Sequence, residues 1–323
     1  MKLKITRIQR FGTLIAGIGL LISVIMVVLL IGDFQEFRNV WYKLQWKYIV
    51  WLLPLAALNL AIRYWRWEIM LKYVSAVDFK RSSAVILFSA GSLLIFTPGR
   101  AGEIAKSVYA REFFGIPISK SLPVLIAERL SDVLVMALLA GLGLFLIGET
   151  PGLLVGGIIV LIILAMVILR TSILARLARW KAPSFMKNSG IGEFLSQASN
   201  TQISLFKHTM LIPNFILGAS AWMIEITIFF LSLSALGAET HFHPFVLALA
   251  FFPLASLAGS LSFFPGGLGV TEGGLIALGI LVGGLSEETI VLATLFTRTA
   301  IFGVVVLAGI VSLLLLRNMP RLE

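Results

Sequence analysis

Two matching motifs, each inside a long apolar stretch, constrain the fold of this chain more than any other feature. The first motif is Phe96-Thr97-Pro98-Gly99-Arg100-Ala101-Gly102-Glu103, and 167 positions after its proline comes the second, Phe264-Pro265-Gly266-Gly267-Leu268-Gly269-Val270-Thr271-Glu272. Some thirty residues after each proline an arginine lies within an apolar helical pattern, first Arg129 and then Arg298. Broken apolar segments at matching places in two halves are typical of the substrate sites of membrane transporters. The sequence therefore indicates a duplicated membrane protein.

The composition also favours an integral membrane protein, because 59% of the 323 residues are hydrophobic and only 13% are charged. The first apolar run, 11–31, is long enough to cross a bilayer, and no small-residue cleavage site follows it, so we expect no signal peptide. The chain has no cysteine, which excludes disulfides and thiolate chemistry. The net charge of +10 comes mainly from loops on one predicted side, so we expect it to orient the chain in the membrane and expect no nucleic-acid partner.

The apolar segments predict an all-α polytopic fold with six complete crossings and two re-entrant helical hairpins. Each crossing approaches or exceeds the roughly 20 residues that a spanning helix needs. The crossings fall at about 11–32, 48–71, 121–147, 152–170, 211–236 and 287–316. The Pro-Gly motifs interrupt two further apolar stretches, which we interpret as hairpins at about 83–114 and 244–283. The first arm, 83–97, would be about 22 Å long and would stop short of crossing a core about 30 Å thick.

The charges of the loops predict which side each segment faces. If the N-terminus is cytoplasmic, most loop Lys and Arg residues fall on the inner side, as the positive-inside rule requires. Residues 1–150 and 151–323 then each hold three crossings and one hairpin. An odd number of crossings inverts the second half relative to the first, so we expect an inverted repeat with one hairpin entering from each face. We expect a multi-pass plasma-membrane protein with both termini in the cytoplasm.

Several charged residues fall at membrane depth, where each costs roughly 2.5–3.5 kcal/mol on insertion scales and needs a partner or a function. Arg129 has Asp132 three residues away on the same helix face, which is enough to neutralise it locally. Arg298 has no such neighbour, so its counter-charge must come from a ligand or from another segment through Glu272 or Glu225. The remaining charges at this depth are Arg100, Glu103 and Glu128.

The hairpins favour an anionic ligand, because the N-terminus of each returning half-helix presents unpaired N–H groups and a partial positive charge near mid-depth. A phosphate fits such a site. Arg100, Arg129 and Arg298 would offer forked donors to it. The glycines would let the backbone approach a headgroup, although tight helix packing explains them equally well. These glycines are Gly99, Gly102, Gly266, Gly267 and Gly269.

The three arginines face five acids, Glu103, Glu128, Asp132, Glu225 and Glu272, which would leave the site at about −2 if all ionised. Some acids must therefore be exposed, protonated or otherwise paired. Glu103 and Glu272 lie where a carboxylate caps a helix N-terminus. Alternatively, Glu128, Asp132 or Glu225 pairs or titrates and couples transport to protons. We find no nucleotide-binding or hydrolase motif and expect no metal, no cofactor and no enzyme activity.

The ordered motifs Pro98-Gly99-Arg100-Ala101-Gly102-Glu103, Glu128-Arg129-Leu130-Ser131-Asp132 and Pro265 to Glu272 resemble the lysylphosphatidylglycerol synthase transmembrane family, also called flippase-like. The resemblance covers nearly the whole chain. It implies a membrane region like that of the multiple peptide resistance factors, which moves aminoacylated phosphatidylglycerol between leaflets while a separate soluble domain attaches the amino acid. Only Arg317 to Glu323 follow the last predicted crossing, so we expect no aminoacyltransferase here. Stand-alone members handle phospholipids and polyprenyl-linked sugars.

These observations leave three functions open. The first is a lipid translocator that takes an anionic or zwitterionic phospholipid, or a polyprenyl phosphate, through a midplane cavity with the arginines and half-helix N-termini at the headgroup. The second is an enzyme or enzyme subunit of lipid-linked sugar metabolism, with Glu103, Glu128 and Asp132 as acid or base groups. The third is a secondary transporter of a small anion. A homo-oligomer is compatible with all three.

Overall fold

The structure is a computed structural model that describes residues 44–97, 102–148 and 191–320, and these residues form helices and no strands. A short helical turn, Trp46–Ile49, precedes nine longer helices. These are α1 Leu52–Ser75, α2 Arg81–Ser92, α3 Ala105–Phe114, α4 Ile118–Ile147, α5 Ile191–Leu205, α6 His208–Ala235, α7 Pro244–Leu261, α8 Val270–Leu281 and α9 Glu287–Leu316. The prediction of an all-α polytopic membrane protein is confirmed.

Five segments of the described residues are long and apolar enough to cross a membrane, namely Trp46–Ser75, Ile118–Ile147, His208–Ala235, Pro244–Leu261 and Glu287–Leu316. Four of them coincide with the crossings predicted at 48–71, 121–147, 211–236 and 287–316. The predicted crossings at 11–32 and 152–170 lie outside the described residues. The division into halves at residue 150 therefore stays a prediction.

The second Pro-Gly motif lies at a break between helices, as the sequence predicted, whereas residues 98–101 of the first motif lie outside the described residues. Before the first motif, α2 runs into a 3-10 turn, Leu93–Phe96, and after it α3 begins at Ala105; the predicted site residues Gly99 and Arg100 are among those not described. In the second, the 3-10 turn Pro265–Gly267 separates α7 from α8. Three glycines of this motif have the positive φ angles that side-chain-bearing residues rarely adopt, at Gly266 (61°), Gly267 (71°) and Gly269 (81°).

The arms of the two hairpins differ in length. Helix α2 has 12 residues and its 3-10 extension four, whereas α7 has 18 residues. At 1.5 Å per residue α7 is about 27 Å long, close to the thickness of a hydrocarbon core of about 30 Å. Its length and composition therefore suit a complete crossing as well as a hairpin arm, and re-entry from the membrane face stays a prediction.

Helices from the two halves of the sequence pack across each other. The crossing helix α4 contacts α7 of the second hairpin, and the crossing helix α9 contacts α2 of the first. Helices α1 and α6, which hold matching places in the two halves, contact each other directly. We call the two 3-10 turns, Leu93–Phe96 and Pro265–Gly267, the hairpin tips. The tips contact each other, and the ring of Phe96 lies 5.0 Å from the ring of Phe302 on α9, edge to face. These contacts between helices of the two halves surround the space between the hairpin tips.

The outward faces of the helices are apolar. Phe145, Ile216, Leu281 and Leu307 are 65%, 56%, 82% and 66% exposed respectively. Such surfaces are unfavourable in water but match a hydrocarbon solvent. Charged and polar side chains instead lie inside the helix bundle, which is the reverse of the usual arrangement in a soluble protein.

Candidate functional site

A polar cavity of about 80 Å³ lies between the hairpin tips and helices α1, α4, α6 and α9. Nine charged residues line it, and a tenth, Glu272, pairs with one of them. We call these ten residues the charge cluster. Its members are Arg63, Arg66, Lys106, Arg129, Arg298, Glu103, Glu128, Asp132, Glu225 and Glu272.

Arg66 anchors α1 to α4 and α6 and is one of the most buried members of the charge cluster. Its side chain is 2% exposed, and its guanidinium donates to Asp132 Oδ1 at 2.6 Å and to Asn214 Oδ1 at 2.6 Å. It also donates to the carbonyl oxygen of Glu128 at 3.0 Å and to the hydroxyl of Ser131. A guanidinium with partners on two other helices holds those helices in a fixed arrangement. If either helix moved away, a buried charge would lose its partner, which is costly.

Arg63 lies one turn before Arg66 and connects the two halves of the sequence. Its Nη2 donates to Glu225 Oε1 of α6 at 2.7 Å, and its Nη1 lies 3.5 Å from Asp132. The guanidinium also lies over the ring of Trp222, 5.4 Å from its centroid. The indole Nε1–H of Trp222 is buried and has no hydrogen-bond acceptor among the described residues. A buried donor without an acceptor, in a residue that lines a polar cavity, is available to donate a hydrogen bond to a ligand.

Glu103 joins the start of the first returning helix to α4. Its Oε2 accepts from Arg129 Nη2 at 2.8 Å and from Lys106 Nζ at 3.3 Å. Lys106 is 4% exposed, and its ammonium lies 4.2 Å from the centroid of the Phe88 ring. Glu103 thus pairs with two cations, a stronger role than the helix capping expected from the sequence.

Arg298 and Glu272 repeat the pairing of Arg129 and Glu103, with the same spacing of 26 residues. Arg298 Nε donates to Glu272 Oε1 at 2.6 Å, so Glu272 supplies the counter-charge that the sequence required. Arg298 also donates to the carbonyl oxygen of Gly266 at 3.2 Å and lies 4.3 Å from the ring centroid of Phe302. Each half of the sequence therefore has one glutamate–arginine pair that joins a hairpin tip to a crossing helix.

Arg129 and Arg298 differ in exposure and in how many of their donors already have partners. The Arg298 side chain is 9% exposed and has three partners around it. The Arg129 side chain is 32% exposed, and although Glu103 and Asp132 accept from its terminal nitrogens, its Nε–H has no acceptor among the described residues. Arg129 is therefore the better placed of the two to contact a ligand.

The charge cluster is balanced within the described residues. Five acids face five cations, because Arg63, Arg66 and Lys106 join Arg129 and Arg298. The sequence count of about −2 missed these three cations, so it overstated the excess of acid. The paired acids are Asp132, Glu103, Glu225 and Glu272.

The glycines serve the hairpin turns more than they serve a ligand. The N–H groups of Gly102, Gly267 and Gly269 donate to Thr97 Oγ1, to the Phe264 carbonyl and to Glu272 Oε2 respectively. Gly102 also packs closely, since a Cβ there would lie 2.7 Å from Leu94 Cβ and 2.8 Å from the Leu94 carbonyl oxygen. This differs from the expectation of free N–H donors for a phosphate. Gly266 and Gly267 do line the cavity, whereas Gly102 and Gly269 do not.

A second, apolar cavity of about 480 Å³ adjoins the polar one. One wall is the face of α4 that carries partly exposed Leu122, Leu125, Ile126 and Leu130, and the other is the end of α7 with Leu261 and Phe264. Residues common to both cavities mark where the two meet, and they include Glu103, Arg129, Asp132 and Trp222. The site therefore joins a charged compartment to an apolar one.

Sequence reasoning missed part of this site for identifiable reasons. Asn59, Arg63 and Arg66 lie at i, i+4 and i+7 within the predicted crossing 48–71, so they share one face of an apolar helix. Applying to them the rule that intramembrane charges are functional would have found them. The charge of Lys106 by itself favours an exposed position, and only the tertiary structure shows its burial. No group of three His, Cys, Asp or Glu side chains within the described residues is arranged to hold a metal ion.

The fold and the site define a polytopic α-helical membrane protein that encloses a charged cavity between two helical hairpins. The chain belongs to the family described as the lysylphosphatidylglycerol synthase TM region, whose model matches residues 15–309. This membership confirms the resemblance inferred from the motifs, and it associates the chain with membrane lipids and a flippase-like function at a general level. No curated protein matches the chain.

Proposed function

We propose that this protein moves a phospholipid or a polyprenyl-phosphate-linked lipid between the leaflets of the plasma membrane. The observation that carries the proposal is the junction of the charged and apolar cavities at Arg129. A membrane lipid has the same division, because a charged headgroup is joined to apolar chains. A small soluble anion would use the charged cavity but would leave the apolar one without an occupant.

Arg129 binds the phosphate in this proposal. Its side chain is 32% exposed at the junction and its buried Nε–H has no acceptor among the described residues, and a planar guanidinium binds phosphate through forked hydrogen bonds. The indole N–H of Trp222, a residue that lines both cavities, adds a second donor. The acyl or prenyl chains lie along the apolar face of α4, beside Leu122 and Leu125.

Movement of the lipid between leaflets would use the packing of helices from one half of the sequence against helices from the other. Rocking of one half against the other would open the polar cavity alternately to each side, as in other transporters with inverted repeats. Both termini are placed in the cytoplasm on the charge of the loops. The proposal requires no cofactor and no catalytic residue, and the lipid gradient or protons supply the driving force.

The test is transfer of fluorescent lipids in sealed liposomes that contain the purified full chain. Arg129→Ala is expected to reduce the transfer rate about 10- to 100-fold, since charge-assisted hydrogen bonds contribute about 1.5–3 kcal/mol each. Arg111→Ala is the matched control, because Arg111 is exposed on α3 and lies outside both cavities. Wild-type liposomes that transfer no lipid but take up phosphate or a carboxylate would contradict the proposal and favour the small-anion transporter.

A further inference from the structure

Glu128 is the acid of the charge cluster that forms no ion pair within the described residues. Asp132, Glu103, Glu225 and Glu272 each accept from at least one arginine. The carboxylate of Glu128 makes no hydrogen bond with the residues that the structure describes, although Glu128 is only 5% exposed and lines the polar cavity. Protonating any of the other four acids would disrupt an ion pair, whereas protonating Glu128 would disrupt none. Glu128 is therefore suited to bind and release a proton.

The ionisable groups around Glu128 lie on α4 and on the helices that pack against it, which are α1, α3, α5, α6 and α7. Helix α7 has no ionisable side chain, and that of α5, Glu193, lines a separate cavity with Lys120. The groups that act electrostatically on the Glu128 carboxylate, or line the polar cavity with it, are Arg63 and Arg66 of α1, Glu103 and Lys106 at the start of α3, Arg129 and Asp132 of α4, Glu225 of α6 and Arg298 of α9. Each of these groups already has a partner of opposite charge.

The charge cluster is neutral only when Glu128 is ionised. Within the described residues five cations share four paired acids, which leaves a charge of +1 for the carboxylate of Glu128 to cancel. A headgroup with a net charge of −1 would change the sum to −1, and a proton on Glu128 would return it to zero. An uncompensated charge is costly at membrane depth. Binding of an anionic headgroup therefore favours uptake of one proton.

Protonation also changes what Glu128 offers to a phosphate. An ionised carboxylate can only accept hydrogen bonds, and it repels a phosphate, whereas a protonated carboxyl group has an O–H that donates to a phosphate oxygen. Glu128 lines the same polar cavity as Arg129, its neighbour in the sequence. The protonated form is therefore the one that is compatible with a phosphate at Arg129.

We propose that Glu128 is a proton-binding site, so that the translocator carries one proton with each headgroup of net charge −1. The proton passes from water on the side to which the cavity is open to a carboxylate oxygen of Glu128. It returns to water on the other side when the headgroup leaves. This inference rests on the proposed function, because it assumes that a lipid phosphate binds at Arg129.

The first experiment measures whether a proton gradient drives the lipid. Sealed liposomes contain the purified full chain and fluorescent phosphatidylglycerol, whose headgroup has a net charge of −1, with the interior about one pH unit more alkaline than the exterior. Because lipid and proton cross together, the lipid is expected to accumulate in the inner leaflet by up to about tenfold over the outer one. Protein-free liposomes give the background, and an ionophore that collapses the pH gradient should abolish the accumulation.

Two variants of Glu128 test the residue itself. Glu128→Gln has nearly the same volume but cannot titrate, and it is expected to lose both the accumulation and the pH dependence of transfer. Glu128→Asp keeps a titratable carboxyl group and is expected to retain accumulation. Glu287→Gln, at an exposed position of α9, is the matched control and is expected to accumulate lipid like the wild type.

A second measurement counts the protons without requiring transfer. Titration calorimetry of lysophosphatidylglycerol binding to the protein in detergent, in two buffers with different ionisation enthalpies, gives the number of protons taken up. We expect about one proton per bound lipid for the wild type and close to none for Glu128→Gln. A purely structural role of Glu128 would not produce this difference.

The outcomes separate this inference from the proposed function. Transfer of phosphatidylglycerol by the wild type to equal levels in both leaflets, without proton uptake in the calorimeter, overturns the inference and leaves the translocator intact. Accumulation that survives in Glu128→Gln also overturns it, since the proton would then bind elsewhere. If the wild type neither binds nor transfers lipid, the proposed function fails, and this inference fails with it.

Discussion

The pair formed by Arg298 and Glu272 should contribute strongly to stability and little to ligand binding. The two side chains are 9% and 4% exposed, and their closest atoms lie 2.6 Å apart. Removing one partner of such a buried pair leaves the other charge unpaired, at a typical cost of about 3–5 kcal/mol. Arg298→Ala also loses the hydrogen bond to the Gly266 carbonyl and the contact with the Phe302 ring. We therefore expect a loss near the middle of that range.

The corresponding shift in Tm follows from the size of the chain. An unfolding entropy of about 2.1 cal/mol/K per residue gives about 0.7 kcal/mol/K for 323 residues. A loss of about 4 kcal/mol then lowers Tm by about 6 °C. Arg129→Ala is expected to lower Tm by only about 1–2 °C. Arg129 is 32% exposed, and its acids keep other cations, Glu103 with Lys106 and Asp132 with Arg66.

Thermal unfolding of the purified protein in one detergent measures both shifts. The double variant Arg298→Ala/Glu272→Gln completes a double-mutant cycle, and a coupling energy of at least about 1 kcal/mol is expected for side chains in direct contact. Equal Tm shifts for Arg298→Ala and Arg129→Ala, or a coupling energy of zero, would refute the assignment of Arg298 as the structural member of the two matched arginines.

Two further predictions concern the hairpin turn and the cavity wall. Gly102→Ala should lower Tm by several degrees, because its Cβ would lie 2.8 Å from the Leu94 carbonyl oxygen, whereas Gly273→Ala on α8 meets nothing within 4 Å and should be neutral or stabilising. Similar Tm values for the two variants would show that the first turn tolerates a side chain. Trp222→Phe removes the unpartnered indole N–H and should slow lipid transfer about tenfold with little change in Tm. Unaltered transfer would exclude that N–H as a ligand donor.

Much of the fold could be predicted from the sequence because a membrane allows only a few kinds of backbone structure to cross it. Backbone groups in hydrocarbon must be satisfied within each segment, so long apolar runs become helices and breaks in them become turns. The four predicted crossings that fall on described residues were located to within a few residues for this reason. The need of Arg298 for a distant acid was also foreseeable, since its own helix offers none at i±3 or i±4.

The remainder of the site depends on tertiary contacts that no local pattern encodes. Lys106 has the charge of a loop residue, and its burial follows from the position of α3 against α2 and α4. The sequence placed Glu103 at a helix start, which suggested a cap, but its location beside Arg129 makes it a counter-ion. Whether a glycine N–H is free or already bonded also depends on the turn that forms around it, as Gly102 and Gly267 show.

The matched pairs also show which charges belong to the repeated scaffold and which are additional. Glu103 and Arg129 recur 169 positions later as Glu272 and Arg298, but the same offset converts Lys106 into Leu275, Glu128 into Thr297 and Asp132 into Ile301. One glutamate–arginine pair per half is therefore sufficient to fasten a hairpin tip to its crossing helix. The additional charges in the first half are not needed for that purpose, and each costs roughly 2.5–3.5 kcal/mol at membrane depth. Their concentration around Arg129 supports the proposal that the ligand binds at Arg129, whereas Arg298 and Glu272 of the second half are paired with each other.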